Sequence, residues 1–200
     1  MVNLSARRVG ACQLGLGTGR NMRKVEEREA AELGARIAGI YLNGLERAVG
    51  VPPGFWDDPF ALGFLVGCAL KAVGAAKIEV EGSARSRVAG MALATLSGHD
   101  ARTMAGRLRS LARACDPVFR KGWDHAERLL IYSWGFYPDD RNDPDIAEAR
   151  KRVEHLRAAG LFSGETISDH KAIAVALQLL LFNDVIVERF GIESVDRTLQ

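Results

Sequence analysis

Three aspartate–proline pairs divide this sequence into helices. They are Asp58-Pro59, Asp116-Pro117 and Asp143-Pro144, and each stands at the start of a segment with helical apolar spacing. An aspartate at the N-cap accepts a hydrogen bond from a backbone N–H that has no partner inside the helix. A proline at the first helical position loses no hydrogen bond, because its missing N–H would be unpaired there. The pairs therefore predict three helix starts.

Apolar residues three and four positions apart predict helices in the rest of the chain. The seven predicted helices cover residues 22–49, 59–76, 83–98, 100–115 and 117–134, a segment beginning at 143, and 168–190. This pattern indicates an all-α bundle in one domain, residues 22–191, with a glycine-rich arm at 1–21 and a short tail at 192–200. Residues 172–187 are so apolar that we expect the C-terminal helix, 168–190, to be the central one.

The second predicted helix is apolar nearly all round, which is typical of a buried helix. Its glycines, Gly63, Gly67 and Gly74, predict close approach of neighbouring backbones. Residues 77–82 alternate like a short strand but have no evident partner strand, so we expect an extended connector there.

Composition narrows the function classes. The chain has 200 residues and a net charge of +2, from 27 basic and 25 acidic side chains, which argues against binding polyanions over the whole surface. Its three cysteines, Cys12, Cys68 and Cys115, have the spacing of neither a disulfide framework nor a zinc site. The longest apolar run, Phe60–Leu70, is well below the roughly 20 residues that span a bilayer. We expect a cytoplasmic protein without a membrane segment.

Aromatic side chains are concentrated near the end of the fifth predicted helix. Buried aromatic side chains anchor protein interfaces and ligand pockets, although a cluster of this kind also occurs in ordinary cores. The interface or pocket candidates are Trp123, His125, Tyr132, Trp134, Phe136 and Tyr137.

Three arginines share one face of the fourth predicted helix. They are Arg102, Arg109 and Arg113, and the turn at residues 97–100 joins this helix to the preceding one as in a helix–turn–helix. A recognition helix presents such side chains to phosphates and base edges. The alternative interpretations are a solvated face and pairing with the acidic C-terminal third of the chain.

The glycine-rich segment at residues 14–20 resembles motif I of class I methyltransferases. Gly15, Gly17 and Gly19 match the GxGxG loop of that family, and residues 34–42 look like its second strand. The resemblance implies a loop that binds S-adenosylmethionine, and it covers about residues 9–48. Where the family carries an acidic residue for the ribose hydroxyls, this chain has Tyr41.

The remaining polar residues form no catalytic or metal-binding motif. Each of the four histidines has an acidic neighbour in sequence, but none has the Glu-x-x-His spacing of a di-iron bundle. Asp184 lies within the apolar C-terminal helix, where a buried carboxylate requires a partner, and we expect an arginine of the fourth helix to supply it.

These observations favour a non-enzymatic helical protein that acts through protein contacts, as a homo-oligomer or with another protein. Under this hypothesis it needs no cofactor or metal. The two alternatives are a methyltransferase-like enzyme that uses the loop at residues 14–20 and a DNA-binding regulator that uses the arginines of the fourth helix.

Overall fold

Helices make up most of the chain that the structure describes. A computed structural model describes residues 24–80, 82–136, 143–160 and 168–192, and these residues contain no strand. The helices are α1 (Lys24–Val49), α2 (Pro59–Ala75), α3 (Ser83–Ser97), α4 (Ala101–Arg113), α5 (Pro117–Ser133), α6 (Pro144–Ala158), α7 (Asp169–Gln178) and α8 (Asp184–Phe190), with a short 3-10 turn at Phe55–Asp57. A π-helical turn, Leu179–Asn183, joins α7 to α8, so the two form one continuous segment and the chain has seven helical segments in its described part. The predicted fold class is confirmed.

All three aspartate–proline pairs begin helices. The Asp58 carboxylate accepts a hydrogen bond of 2.9 Å from the backbone N–H of Ala61. Asp116 and Asp143 each accept from two backbone N–H groups in the first turn of their helices. In each case proline is the first helical residue.

The centre of the bundle is α2. It packs against α1, α3 and α5. Twelve of its 17 residues are buried: the ten consecutive residues from Phe60 to Ala69, together with Ala72 and Val73. The C-terminal segment was expected at this position, and this part of the prediction requires correction. The segment buries one face, with Phe182 stacked on Phe64 at 4.0 Å between ring centroids, but Val175 on its other face is 44% exposed.

Glycines set the distance between α2 and α5. A Cβ atom on Gly63 would overlap the carbonyl oxygen of Phe119, and one on Gly122 would lie 2.8 Å from the backbone nitrogen of Phe64. The two backbones are therefore in direct contact where the helices cross. Gly67 has the same role against Ala126, as its spacing predicted, whereas a Cβ on Gly74 would meet nothing within 4 Å.

A tight turn at residues 98–100 connects α3 to α4. Gly90 of α3 lies against the first turn of α4, where a Cβ would come within 2.7 Å of the Ala101 carbonyl oxygen. The Asp100 carboxylate caps α4 by accepting a hydrogen bond of 2.8 Å from the Thr103 N–H. The predicted helix–turn–helix-like pair is thus present as two closely packed helices.

Residues 78–80 form neither helix nor strand, in agreement with a connector between α2 and α3. The predicted arm at 1–21 and all but the first residue of the predicted tail at 192–200 lie outside the described residues. Among the helices that the structure describes, none combines the length and the apolar character required to cross a bilayer.

Candidate functional site

The predicted aromatic cluster is spread along α5. Trp123 lies in the second turn and Trp134 directly follows the helix, which separates them by about 16 Å at 1.5 Å per residue. Tyr132 is buried, with its ring stacked on His170 at 4.8 Å between centroids. Trp134 and Phe136 are exposed, and Tyr137 lies outside the described residues. The six candidates therefore do not form one site.

His125 lies at the edge of the hydrophobic core. Its Nδ1 atom lies 2.8 Å from the Leu181 carbonyl oxygen, in the π-helical turn, and its ring meets the Phe60 ring edge-on at 5.4 Å. Burial lowers the pKa of His125, and the positive charges of Lys121 and Arg128 act in the same direction. With Nδ1–H donating to the carbonyl, the neutral ring is the form that fits this environment.

Three helices meet around Ser133, at the end of α5. The Tyr41 hydroxyl of α1 is hydrogen-bonded to the Ser133 side chain, and the His170 ring of α7 has its Nε2 atom 3.3 Å from the Ser133 carbonyl oxygen. Burial, together with the nearby Cys68, raises the pKa of Tyr41 to about 12. Tyr41 therefore remains a neutral hydrogen-bonding group over the physiological pH range.

Exposed apolar side chains concentrate on the same three elements. The described residues include five large exposed apolar side chains, and four of them belong to α1, to α7 or to the exit of α5. We call these four the exit surface: Ile40 at 59% exposure, Trp134 at 37%, Phe136 at 71% and Val175 at 44%. The fifth, Val51, lies beyond the end of α1.

The arginines of α4 face outward. Arg102 and Arg113 are exposed and Arg109 is half-buried, and none of the three forms an ion pair with a carboxylate in the described part of the chain. Arg107, on another face, pairs with Asp57. Because α4 itself has no acidic residue, its outer face is positively charged.

Two open cavities lie beside α3. One, of about 790 Å³, is lined by residues of α1 and α3, with acidic and basic side chains of α1 beside Ile40 and Leu96. The other, of about 710 Å³, lies between the end of α2, the connector, the start of α3 and Trp123. We call this second space the connector cavity, and Trp123 is the one sequence-predicted site residue in its lining.

Sequence reasoning missed the basic groups of the connector cavity. Lys71, Lys77 and Arg85 lie on three different elements, and no spacing rule links them. The segment at residues 77–82 could have indicated these basic groups. It alternates like a strand but has no evident partner strand, which predicts a connector beside the buried α2.

The partner of Asp184 differs from the prediction. Asp184 pairs with Arg152 of α6 at 2.8 Å, not with an arginine of α4. The reason is the packing order, since α6 lies on the C-terminal segment, whereas α4 packs on α3.

The described residues offer no evident metal centre, since no group of three or more His, Cys, Asp and Glu side chains among them is arranged to hold an ion. The glycines of the methyltransferase-like loop, Gly15, Gly17 and Gly19, lie outside the described residues. Residues 34–42, which resembled the second strand of that family, are part of helix α1. The strand implied by the resemblance is therefore wrong.

Comparison of the chain with protein-family models, with curated proteins and with solved structures finds no match.

Proposed function

We propose that this chain is a non-enzymatic cytoplasmic protein that acts through protein contacts and associates with a second copy of itself through the exit surface. The observation that supports the proposal is the distribution of exposed apolar side chains. Four of the five in the described residues belong to the elements that meet at Ser133.

Single exposed apolar residues are normal on a protein surface, but a concentration of them marks an interaction site. A Phe136 side chain that is 71% exposed loses most of its contact with water when a partner covers it. An apolar surface also complements its own copy across a two-fold axis, which is the most frequent arrangement of homo-oligomers. The contacts of Tyr41 and His170 with Ser133 connect the three elements that carry the exit surface.

The test is the mass in solution, measured by light scattering after size exclusion. The wild-type chain should have the mass of a dimer at micromolar concentration, and Phe136→Asp should have that of a monomer because a carboxylate would be buried unpaired at the interface. Val51→Asp introduces the same change at an exposed apolar residue outside the exit surface and should leave the dimer intact. A monomeric wild type, or a Phe136→Asp variant that remains dimeric, would refute the proposal.

The second candidate function is nucleic-acid binding by α4. It is favoured by one observation: none of the three arginines forms an ion pair in the described part of the chain, and they lie on a helix packed as in a helix–turn–helix. Binding to a short random-sequence duplex should weaken as salt rises, because each phosphate contact releases counterions. Arg109→Ala should weaken it further, and Arg47→Ala, an exposed arginine at the end of α1, should have no effect. Binding that is insensitive to Arg109→Ala would exclude this candidate.

The third candidate is S-adenosylmethionine binding by residues 14–20. It rests on the glycine spacing alone, since this loop lies outside the described residues. Calorimetry with the cofactor is decisive: heat of binding that disappears in Gly17→Val would support it, and no heat from the wild type would remove it.

A further inference from the structure

The connector cavity has the size and wall composition of a small-molecule site. Its volume of about 710 Å³ lies within the range of ligand pockets, about 300–1,000 Å³. One wall is apolar, formed by Leu70, Val73 and Ile78, and Trp123 contributes an indole ring. The ionic groups are concentrated on the connector and on the first turn of α3.

The charges of the lining favour an anion. Lys71 is already neutralised by an ion pair with Glu127 of α5. Arg85 donates from Nε to the Val80 carbonyl oxygen at 2.7 Å, which fixes its guanidinium group and leaves the terminal N–H groups for another acceptor. Lys77 forms no ion pair within the described part of the chain, and Glu79 is the one carboxylate among the described lining residues. Two unneutralised cations therefore face one carboxylate.

Lys77 also occupies a backbone position that suits glycine. Its φ of 58° is in the left-handed region, and it ends α2 with the N–H groups of Lys77 and Ile78 bonded to the carbonyl oxygens of Gly74 and Val73. This is the Schellman arrangement, in which glycine is the usual residue. Glycines hold a positive φ after five other helices: Gly50, Gly98, Gly135, Gly160 and Gly191. Cys115, after α4, is the other exception among the described residues. The chain thus keeps a lysine beside the cavity where a glycine would be less strained.

We propose that the connector cavity binds a small anion that carries a planar aromatic ring. The ring stacks on Trp123 against the apolar wall, and the oxyanion is held by the Lys77 ammonium and the Arg85 guanidinium. This site is independent of the exit surface, since its lining shares no residue with Ile40, Trp134, Phe136 or Val175.

Lys77→Gly separates binding from folding. The glycine removes the left-handed strain, so the variant should unfold at a temperature higher than wild type by about 2–4 °C. It also removes a cation from the cavity, so the affinity for 1-naphthyl phosphate or 1-naphthoate should fall about tenfold. If the variant is more stable than wild type but binds more weakly, damage to the fold cannot explain the loss of affinity.

The probes are tested by calorimetry on the full chain. Both 1-naphthyl phosphate and 1-naphthoate should bind more tightly than neutral 1-naphthol and than inorganic phosphate. Whichever of the two anions binds more tightly shows whether the site prefers a phosphate or a carboxylate. Trp123→Leu should weaken both, whereas Glu79→Gln should strengthen them. Lys171→Ala changes a lysine outside the cavity and should leave the affinities unchanged.

Three results would overturn the proposal. They are the absence of binding by either naphthyl anion at millimolar concentration, equal binding of 1-naphthol, and full affinity in a stabilised Lys77→Gly variant.

Discussion

Two glycines lie where the backbones of α2 and α5 are in contact. Gly63 of α2 lies against the Phe119 carbonyl group, and Gly122 of α5 lies against the backbone of Phe60 and Phe64. The neighbours at these points are backbone atoms, which cannot rotate away as a side chain does. Any added Cβ must therefore separate the two helices and open the core around them.

Gly122→Ala should destabilise the fold by about 3 kcal/mol, because overpacking here forces the backbones apart. Gly106→Ala is the matched control: Gly106 is also inside a helix, but the nearest atom to its Cβ would be a terminal nitrogen of Arg109 at 3.9 Å. The control should be more stable than wild type by about 1 kcal/mol, from helix propensity alone. Urea denaturation measures both changes, and equal effects of the two variants would contradict the packing argument.

His125 should make stability depend on pH. Its pKa is lowered in the folded protein, chiefly by burial, so below the ordinary value of about 6.5 the unfolded chain binds more protons than the folded chain. The contribution of His125 to stability is therefore fully present above that pH and is lost as the pH falls toward the lowered pKa. The hydrogen bond with the Leu181 carbonyl and, to a smaller extent, the charge of Asp145 raise the pKa of His125 and limit the effect.

Melting curves between pH 8 and pH 5 test this prediction. The melting temperature of the wild type should fall more steeply below pH 6.5 than that of His125→Gln, which keeps a donor for the Leu181 carbonyl group. His155→Gln removes an exposed histidine of α6 and should follow the wild type. If the melting temperatures of wild type and His125→Gln change in parallel with pH, protonation of His125 does not affect stability and the prediction is wrong.

At the scale of the element, the aspartate caps differ in what else they bind. The Asp116 carboxylate accepts only backbone hydrogen bonds in the described structure. Asp58 caps α2 and also accepts a hydrogen bond of 3.0 Å from the Nε–H group of Arg189 in α8. The Asp58 side chain is 10% exposed. One carboxylate thus connects the start of α2 to the last helix.

Asp116→Ala should cost about 1 kcal/mol, the usual value of a cap. Asp58→Ala should cost about 2 kcal/mol, because it removes both the cap and the partly exposed ion pair with Arg189. Asn at either position still caps, so Asp116→Asn should be nearly neutral whereas Asp58→Asn should lose the ion pair alone. Chemical denaturation of the four variants separates the two contributions. Equal losses for Asp58→Ala and Asp116→Ala would mean that the ion pair adds nothing.

The helix starts could be predicted from the sequence because capping is local. An Asp-Pro pair depends on residues within one turn, so Asp58, Asp116 and Asp143 needed no knowledge of the fold. The position of each helix in the bundle was harder to predict. The C-terminal segment is as apolar as α2 over residues 172–187, but its face with Val175 is not covered by another helix. Burial depends on the neighbours, which composition does not record.

The candidate sites were less predictable than the helices for the same reason. Trp123 and Trp134 are close in sequence, but a helix places them about 16 Å apart. Conversely, Lys71, Lys77 and Arg85 reach one cavity only because α2 and α3 are joined by the connector. The π-helical turn at Leu179–Asn183 had no signal in the spacing of apolar residues, and one of its carbonyl oxygens receives the contact from His125 on another helix.

At the scale of the whole molecule, two kinds of contact hold the bundle. Apolar packing and backbone contact join α2 to α5. In contrast, α6 buries only three of its side chains, Ile146, Ala149 and Val153, and is attached to its neighbours by ion pairs such as Arg152–Asp184 and Arg157–Asp169. Partly exposed ion pairs contribute little to stability and are screened by salt.

We therefore expect α6 to open before the rest of the protein. Hydrogen exchange followed by mass spectrometry should show the slowest amides in α2 and α5 and faster exchange in α6. Raising the salt concentration should accelerate exchange in α6 without changing that in α2. Uniform protection over α2, α5 and α6 would indicate that the domain opens only as a unit.

The central position of α2 has a consequence during synthesis. Lys71 and its partner Glu127 on α5 are 56 residues apart, so α2 leaves the ribosome well before the helix that covers it. At the usual rate of synthesis the delay is about 3–11 s. During that interval α2 can pack against α1 and α3 but not against α5. The nascent chain therefore exposes the apolar face of α2 until residues 117–133 are synthesised.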